Sequence, residues 1–342
     1  MANRRAPMWS APLLALLAAC PPPPPPPPEV VLPELAPDQG FSFHVPSFEV
    51  PPGIETQDCY FVAVPDINQG QDLWIDRFEM AQRPGSHHMN IFRVNTIHYL
   101  GGLPGDVVRG GECRISTNWA DWPLVVNSQE STEPVIDWQL PTGVAQRFAA
   151  GELLMVQTHY VNADVQNSPA GGEVRVNFHK SPLAEPIEMG TLFATQQSIR
   201  ICQSEPVKTY SGSCSFPPGQ EVHVAAANGH FHGRGTKFEM FTWNGQSLDP
   251  PPPEDSFYVS TDWNEPPMSI NLDAVVPAGG GIWWDCHYRW QQPSAGCDIV
   301  DERDEDQGGD CCFTFGNSAE NSEHCNVFVY YWPKVDSDVF CN

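Results

Sequence analysis

Proline and glycine set the limits on this chain: 36 prolines and 27 glycines interrupt its 342 residues. No long stretch between them holds apolar residues at helical spacing. What remains is a series of short apolar runs, bounded by clusters of Gly, Pro, Asn and Asp. Cys59–Val64, Asn90–Val94, Leu153–Tyr160 and Val174–His179 come first, then Lys237–Trp243, Gly281–Tyr288 and Val327–Trp332. Such runs predict strands, and strands alone predict an all-β chain of two-layer antiparallel sandwiches. Some 300 residues remain once the leader described below is set aside, about twice an ordinary core, so two tandem domains of ~150 residues are expected. The break falls near 180–188, where Pro182 and Pro186 interrupt the pattern. The expected organisation is 1–20 leader, 21–42 linker, 43–182 first domain and 187–342 second domain.

The leader reads as an address. Arg4 and Arg5 precede an apolar stretch, Ala6–Ala19, that is too short to span a bilayer. Leu17-Ala18-Ala19-Cys20 then reads as a lipoprotein-processing site, with Cys20 as the lipidated residue. Pro21–Pro28 follow, a stiff polyproline II rod about 25 Å long at ~3.1 Å per residue. Together they describe an exported body held off a membrane by a lipid anchor.

Beyond Cys20 the sequence holds ten cysteines, an even number that predicts about five disulfides in an oxidising compartment. No C-x-x-C spacing occurs, which argues against a thiolate zinc site. Cys311 and Cys312 are adjacent and need different partners. The net charge of −25 excludes a nucleic-acid partner, since no basic patch can meet phosphates. The acid-rich stretch 297–312 lacks the spacing of a calcium loop and reads as a solvated, disulfide-closed loop.

Chemistry is concentrated in the histidines. His230 and His232 are two apart, and on a strand both project from one face. Gly229 and Gly233 on either side are expected to leave room for a ligand. His87 and His88 are adjacent and would diverge on a regular strand. To reach one ion they need a bulge or strand end, which Pro84-Gly85 can supply. His159 ends an apolar run and offers a third nitrogen. His44, His98, His179, His223 and His287 have no partner at ligand spacing and read as surface or packed residues.

Several words occur in a telling order: Pro84-Gly85-Ser86-His87-His88-Met89, Leu154-Met155-Val156-Gln157-Thr158-His159-Tyr160, His230-Phe231-His232 and Glu323-His324-Cys325-Asn326. Leu140-Pro141-Thr142-Gly143-Val144 and Ala150-Gly151-Glu152 lie between them. Over roughly residues 43–341 this order resembles the copper type II, ascorbate-dependent monooxygenases, the family of peptidylglycine and dopamine hydroxylases. The resemblance implies two jelly-roll domains, each holding one copper, facing each other across a solvent-filled cleft. It implies His87, His88 and His159 as an electron-transfer copper site. It implies His230, His232 and the residue at 324 as the oxygen-binding site, a Cys286–Cys325 disulfide, and a place for Gln157 on the passage between the sites. Ascorbate or another reductant would supply electrons.

Two departures stand out. The family's Met ligand is His324 here, and imidazole favours Cu(II) where a thioether favours Cu(I). The arginine that holds a substrate carboxylate in the peptide hydroxylase is Asn228, and a nearby tyrosine is Phe328, so a glycine-extended peptide is a poor substrate. The expected function is hydroxylation of an activated C–H of a small molecule or peptide. The alternative is a non-catalytic surface lipoprotein that sequesters or delivers copper, favoured by His324; a structural or adhesion role leaves the histidines unexplained. Three imidazoles also suit Zn²⁺.

The leader yields a test. Cys20→Ser should accumulate as unlipidated precursor in the soluble fraction, as read by metabolic labelling with a fatty acid. Normal processing and membrane association of the variant would reject the anchor.

Overall fold

The computed structural model describes residues 30–96, 103–111, 113, 122–129, 135–162, 170–293, 302–304, 310–316, 318–335 and 339–341. The leader, Cys20, the proline run, His98 and most of the acidic stretch 297–312 lie outside these residues. The chain is all-β. Its first half holds β1 (Gly40–Val50), β2 (Glu55–Ala63), β3 (Leu73–Gln82), β4 (Ser86–Arg93), β5 (Val107–Arg109) and β6 (Leu124–Ser128). β7 (Ile136–Gln139), β8 (Val144–Phe148), β9 (Leu153–Val161), β10 (Ala170–Lys180) and β11 (Ile187–Glu188) complete it. The second half begins with β12 (Gly190–Thr195), β13 (Arg200–Cys202), β14 (Val207–Ser215), β15 (Val222–His230), β16 (Gly235–Trp243) and β17 (Ser256–Ser260). It continues with β18 (Ser269–Val276), β19 (Gly281–Arg289), β20 (Glu302–Asp304), β21 (Asp310–Thr314), β22 (Asn326–Trp332) and β23 (Val339–Cys341). Each apolar run named from the sequence lies within or closely overlaps one of these strands.

The sheets are mostly antiparallel and the two halves repeat one arrangement. In the first half the orders are β1-β10-β3-β8 and β2-β9-β4-β6; in the second they are β12-β22-β15-β18 and β14-β19-β16-β17. Counting only these eight strands per half, each half runs first-eighth-third-sixth in one sheet and second-seventh-fourth-fifth in the other. Short strands are added at the edges, and β13, β21 and β20 form a separate three-stranded sheet.

Cores follow the strand alternation. Val45, Phe78 and Val176 from one sheet of the first half meet Phe61, Ile91 and Met155 from the other, all within 1% of full burial. That cluster does not stop at the half-way point. It takes in Phe193, Ala225, Ala226, Phe328 and Tyr330 of the second half, which also has a core of its own around Phe238, Trp284 and Tyr288. Polar contacts fix the seam: Asn127 donates to Asn228 Oδ1 at 3.2 Å, Tyr330 donates to Asn127 Oδ1 at 2.5 Å, and Thr191 donates to the Leu124 carbonyl at 2.6 Å. β6 of the first half therefore lies against β12, β15 and β22 of the second.

The linker expected over 21–42 is docked from Val30 onward. Val30 and Leu32 are buried against Ala81, and Asn177 and Arg175 donate to the Pro33 and Leu32 carbonyls. Four disulfides join described residues: Cys59–Cys113, Cys202–Cys312, Cys214–Cys341 and Cys286–Cys325. Cys311 is disulfide-bonded as well. Adjacent Cys311 and Cys312 thus have different partners, and the bridges fit folding in an oxidising compartment. Among the described residues no helix is long and apolar enough to cross a membrane.

Glu173 is a buried charge of the first half. Its carboxylate accepts from Arg83 at 2.9 Å, Arg175 at 3.0 Å and His44 at 3.1 Å. Burial alone would raise its pKa, but these partners outweigh it and hold the carboxyl below its usual value. Glu79 is lowered in the same way, through Asn177, His179 and Arg77. A carboxyl held low in the folded state contributes stability above its unfolded pKa of ~4.3, and that stability is lost as pH falls through the folded value. Glu173→Gln should cost about 1–3 kcal/mol at pH 7, because two arginines lose a counter-charge. Its melting temperature should also fall less steeply than wild type below about pH 4.5. Calorimetry across pH 3–7 checks both, and parallel acid profiles for the two proteins would show that Glu173 carries none of this linkage.

Candidate metal centre

A local irregularity puts two adjacent histidines to use. Along the β4–β9 pairing Ser86 faces Tyr160 but His88 faces His159, so His87 is the extra residue of a bulge. Gly85 just before it has φ +96°, which favours glycine. The bulge expected from Pro84-Gly85 is present, and it buries both His87 and His88 to within 7% of full burial. His88 and His159 stand opposite one another with rings 4.7 Å apart.

In the second half His230 ends β15, opposite Asn326 of β22. Phe231 turns into the core at 0% exposure while His230 and His232 share the other face, as the i, i+2 spacing requires. The two flanking glycines differ. A Cβ on Gly229 would come within 2.6 Å of the Phe238 ring, so this glycine makes room for Phe238 and not for a ligand. A Cβ on Gly233 would make only ordinary contact with Trp263.

Glu323 holds this segment in place, a role not read from the sequence although the residue stands beside His324. Fully buried, it accepts from the backbone N–H of His232 at 3.0 Å and of Arg234 at 2.9 Å, one on each carboxylate oxygen. Burial pushes its carboxyl up to about 8 against the pull of those N–H groups and the Arg234 guanidinium. The neighbouring Cys286–Cys325 disulfide ties His324 to β19, and Tyr288 donates its hydroxyl proton to the His324 carbonyl. This is the pairing the resemblance implied.

The six candidate ligands lie in one continuous cluster. His87 is 5.0 Å from His230 and 5.7 Å from His232, ring centre to ring centre, and His88 is 5.2 Å from His230. A solvent-filled cleft between two separate triads, the arrangement implied by the resemblance, is not what these distances describe. Two sets have ligand atoms within 4.8 Å of one another: His230, His232 and His324, and His87, His88 and His230. The first set matches the expectation. In the second, His230 stands where His159 was expected. His159 adjoins His88, with Nδ1 atoms 3.4 Å apart, while its Nε2 bonds Glu55 at 2.7 Å.

The donor chemistry fits a metal ion. The Nε2 atoms of His87, His88, His230 and His232, and both nitrogens of His324, are buried without a hydrogen-bond partner. The other nitrogen is held in two clear cases: His230 Nδ1 by Gln129 Oε1 at 3.0 Å, and His232 Nδ1 by the Ser322 carbonyl at 2.9 Å. Since both partners are acceptors, Nδ1 carries the proton and the Nε2 lone pair is exposed to the cluster. Backbone at Asn264 and the Gln157 side chain bond the His87 and His88 rings. Burial pushes His87 down to about 4 and His324 to about 3, with His88, His230 and His232 also well below their usual value. At neutral pH these are neutral imidazoles, the form that binds metals. A cavity of about 20 Å³ lies among His88, His159, His230, His232 and His324 and the amides of Gln129 and Gln157, room for about one water-sized species.

A larger groove of about 540 Å³ opens outside the cluster, lined by Glu55, Gly233, Arg234, Trp263 and Glu320 among others. Trp263 lies 6.2 Å from the His87 ring. Asn228 is fully buried, donating to the Pro266 and Pro267 carbonyls and accepting from Asn127, so it has no capacity left for a substrate carboxylate. The remaining described histidines are occupied elsewhere. His44, His179 and His287 bond Glu173, Glu79 and Glu239, and His223 stacks on Trp332. Cys202, Asp310 and Cys312 also converge, but both sulfurs are in a disulfide.

Above about pH 8, where Glu323 is ionised, Glu323→Gln should melt about 1–3 kcal/mol less stable, because an amide N–H₂ would face a backbone N–H that a carboxylate oxygen accepts. It should also weaken metal binding by His230, His232 and His324 about 10–100-fold, the usual effect of losing an outer support. Calorimetric titration with Zn²⁺ alongside a thermal melt reads both, and unchanged affinity in a folded variant would remove Glu323 from the support of the site.

No protein-family model matches the chain, and no curated protein matches it in sequence. Among solved structures, the chain is similar to the Broad Bean Stain Virus structure at 7% identity and TM-score 0.26, covering 86% of this chain and 82% of that one. It is also similar to the tandem CBM22-1–CBM22-2 domains of Paenibacillus barcinonensis Xyn10C at 11% identity and TM-score 0.17, covering 83% and 82%. Likeness at this level carries no argument about fold or function.

Proposed function

We propose that this protein is an exported, lipid-anchored copper protein of the monooxygenase type, hydroxylating an activated C–H with dioxygen and an electron donor such as ascorbate. One observation carries the reading: buried, neutral imidazoles gather their unpartnered Nε2 atoms at the seam between the halves. The repeated strand order of the two halves supports two jelly-roll domains, taken as 43–182 and 187–342. Copper held there would supply one-electron chemistry toward dioxygen. The chain's own residues do the rest. Gln129 and the Ser322 carbonyl fix the tautomers of His230 and His232, and Glu323 holds the backbone at His232 and Arg234. The packed seam excludes bulk water, while the outer groove is large enough for a small organic substrate.

A second reading is a non-catalytic copper carrier. Two observations favour it: His324 makes the second set all-imidazole, and the cluster is closed around a cavity that admits about one small species. One experiment separates the readings. Copper-loaded wild type should consume oxygen with ascorbate in the presence of some member of a panel of phenethylamines and hydrophobic amides, whereas a carrier should not. X-ray absorption on the reduced proteins should show only nitrogen or oxygen neighbours in wild type and a sulfur neighbour in His324→Met, with a raised potential. A variant without sulfur at copper would take His324 out of the site.

A further inference from the structure

We propose that His87 and His88 of the first half and His230 of the second form a metal site across the seam, taking one Zn²⁺ or Cu²⁺ and stapling the halves together. The inference rests on the cluster being a metal centre and departs from the expected assignment of ligands to separate domains. Its ligand atoms lie within 4.8 Å of one another, and the Nε2 atoms of all three residues are buried and unpartnered. Nitrogens around one tetrahedral ion are about 3.4 Å apart at ~2.05 Å bonds, so binding requires these side chains to close in by roughly an ångström.

The strongest support comes from across the seam. Gln129 follows β6 in the first half, is 1% exposed, and accepts from His230 Nδ1 at 3.0 Å. An amide of one half thus sets the tautomer of a histidine of the other and aims its Nε2 at His87 and His88. His159, the expected third ligand, is engaged by Glu55 through Nε2. His230 has only one nitrogen left to give, so it cannot complete His87–His88 and His232–His324 at the same time. In this closed arrangement the two sets compete for His230. Full loading with two three-imidazole sites requires His159 to take its place.

The test uses the full mature chain, prepared metal-free and titrated with Zn²⁺, with hydrogen exchange of the β6 backbone as a second readout. A seam site makes the first equivalent slow exchange over Leu124–Ser128 by tenfold or more. His87→Ala and His230→Ala each weaken that same first step at least 100-fold and abolish the protection, and the double variant loses no more. His159→Ala leaves the first step within about threefold. His87→Gln and His230→Gln, closer in size and polar, repeat the comparison should the alanine variants unfold, which circular dichroism reports. The site is overturned if His87→Ala and His230→Ala remove different ions, or if His159→Ala removes the first step while His230→Ala spares it. If the wild type binds neither Zn²⁺ nor Cu²⁺ at micromolar concentration, the metal-centre reading falls too, which is a separate result.

Discussion

Imidazole nitrogens buried without a hydrogen-bond partner impose a constraint that organises the whole seam. Each lone pair removed from water costs free energy unless a proton donor or a cation meets it, and a charged ring would cost far more. The protein meets this in two ways. Burial keeps the rings neutral, and acceptors such as Gln129 and the Ser322 carbonyl take the protons on one side. That leaves lone pairs facing inward together, a gathering that costs stability by itself and is compensated once an ion binds. The apolar contacts around Phe193, Phe328 and Tyr330 and the Asn127–Asn228–Tyr330 hydrogen bonds hold the halves close enough for this to happen.

Local supports differ between the halves. In the first, a bulge and an antiparallel pairing position the rings, so backbone register sets the geometry. In the second, His232 and His324 lie outside regular strands, and Glu323 with the Cys286–Cys325 bridge replaces the missing ladder. Loss of register would scramble one set, and loss of one carboxylate the other.

Much of the fold was legible because strand alternation is local: runs such as Leu153–Tyr160 and Gly281–Tyr288 carry their own pattern. The six histidines were legible for the same reason, as was the bulge, signalled by Pro84-Gly85. Their grouping was not. His230 lies next to His87 only because β6 packs on β15 and β22, contacts between residues 101 and 203 apart in sequence with no local signature. Gln129 and Glu55 belong to no motif and matter only through what the fold brings to them. Gly229 was misread because its neighbour, Phe238, comes from the following strand.

The repeated strand order has a further consequence. The first half meets the seam with the sheet β2-β9-β4-β6, and the second with β12-β22-β15-β18, which is the other sheet of the same plan. The association is therefore heterologous: unlike faces of like bodies meet, as in a head-to-tail contact. A twofold pair of identical halves would bring like faces together and could not rebuild the cluster. Covalent linkage of the halves in one chain makes the required asymmetry available at every copy number.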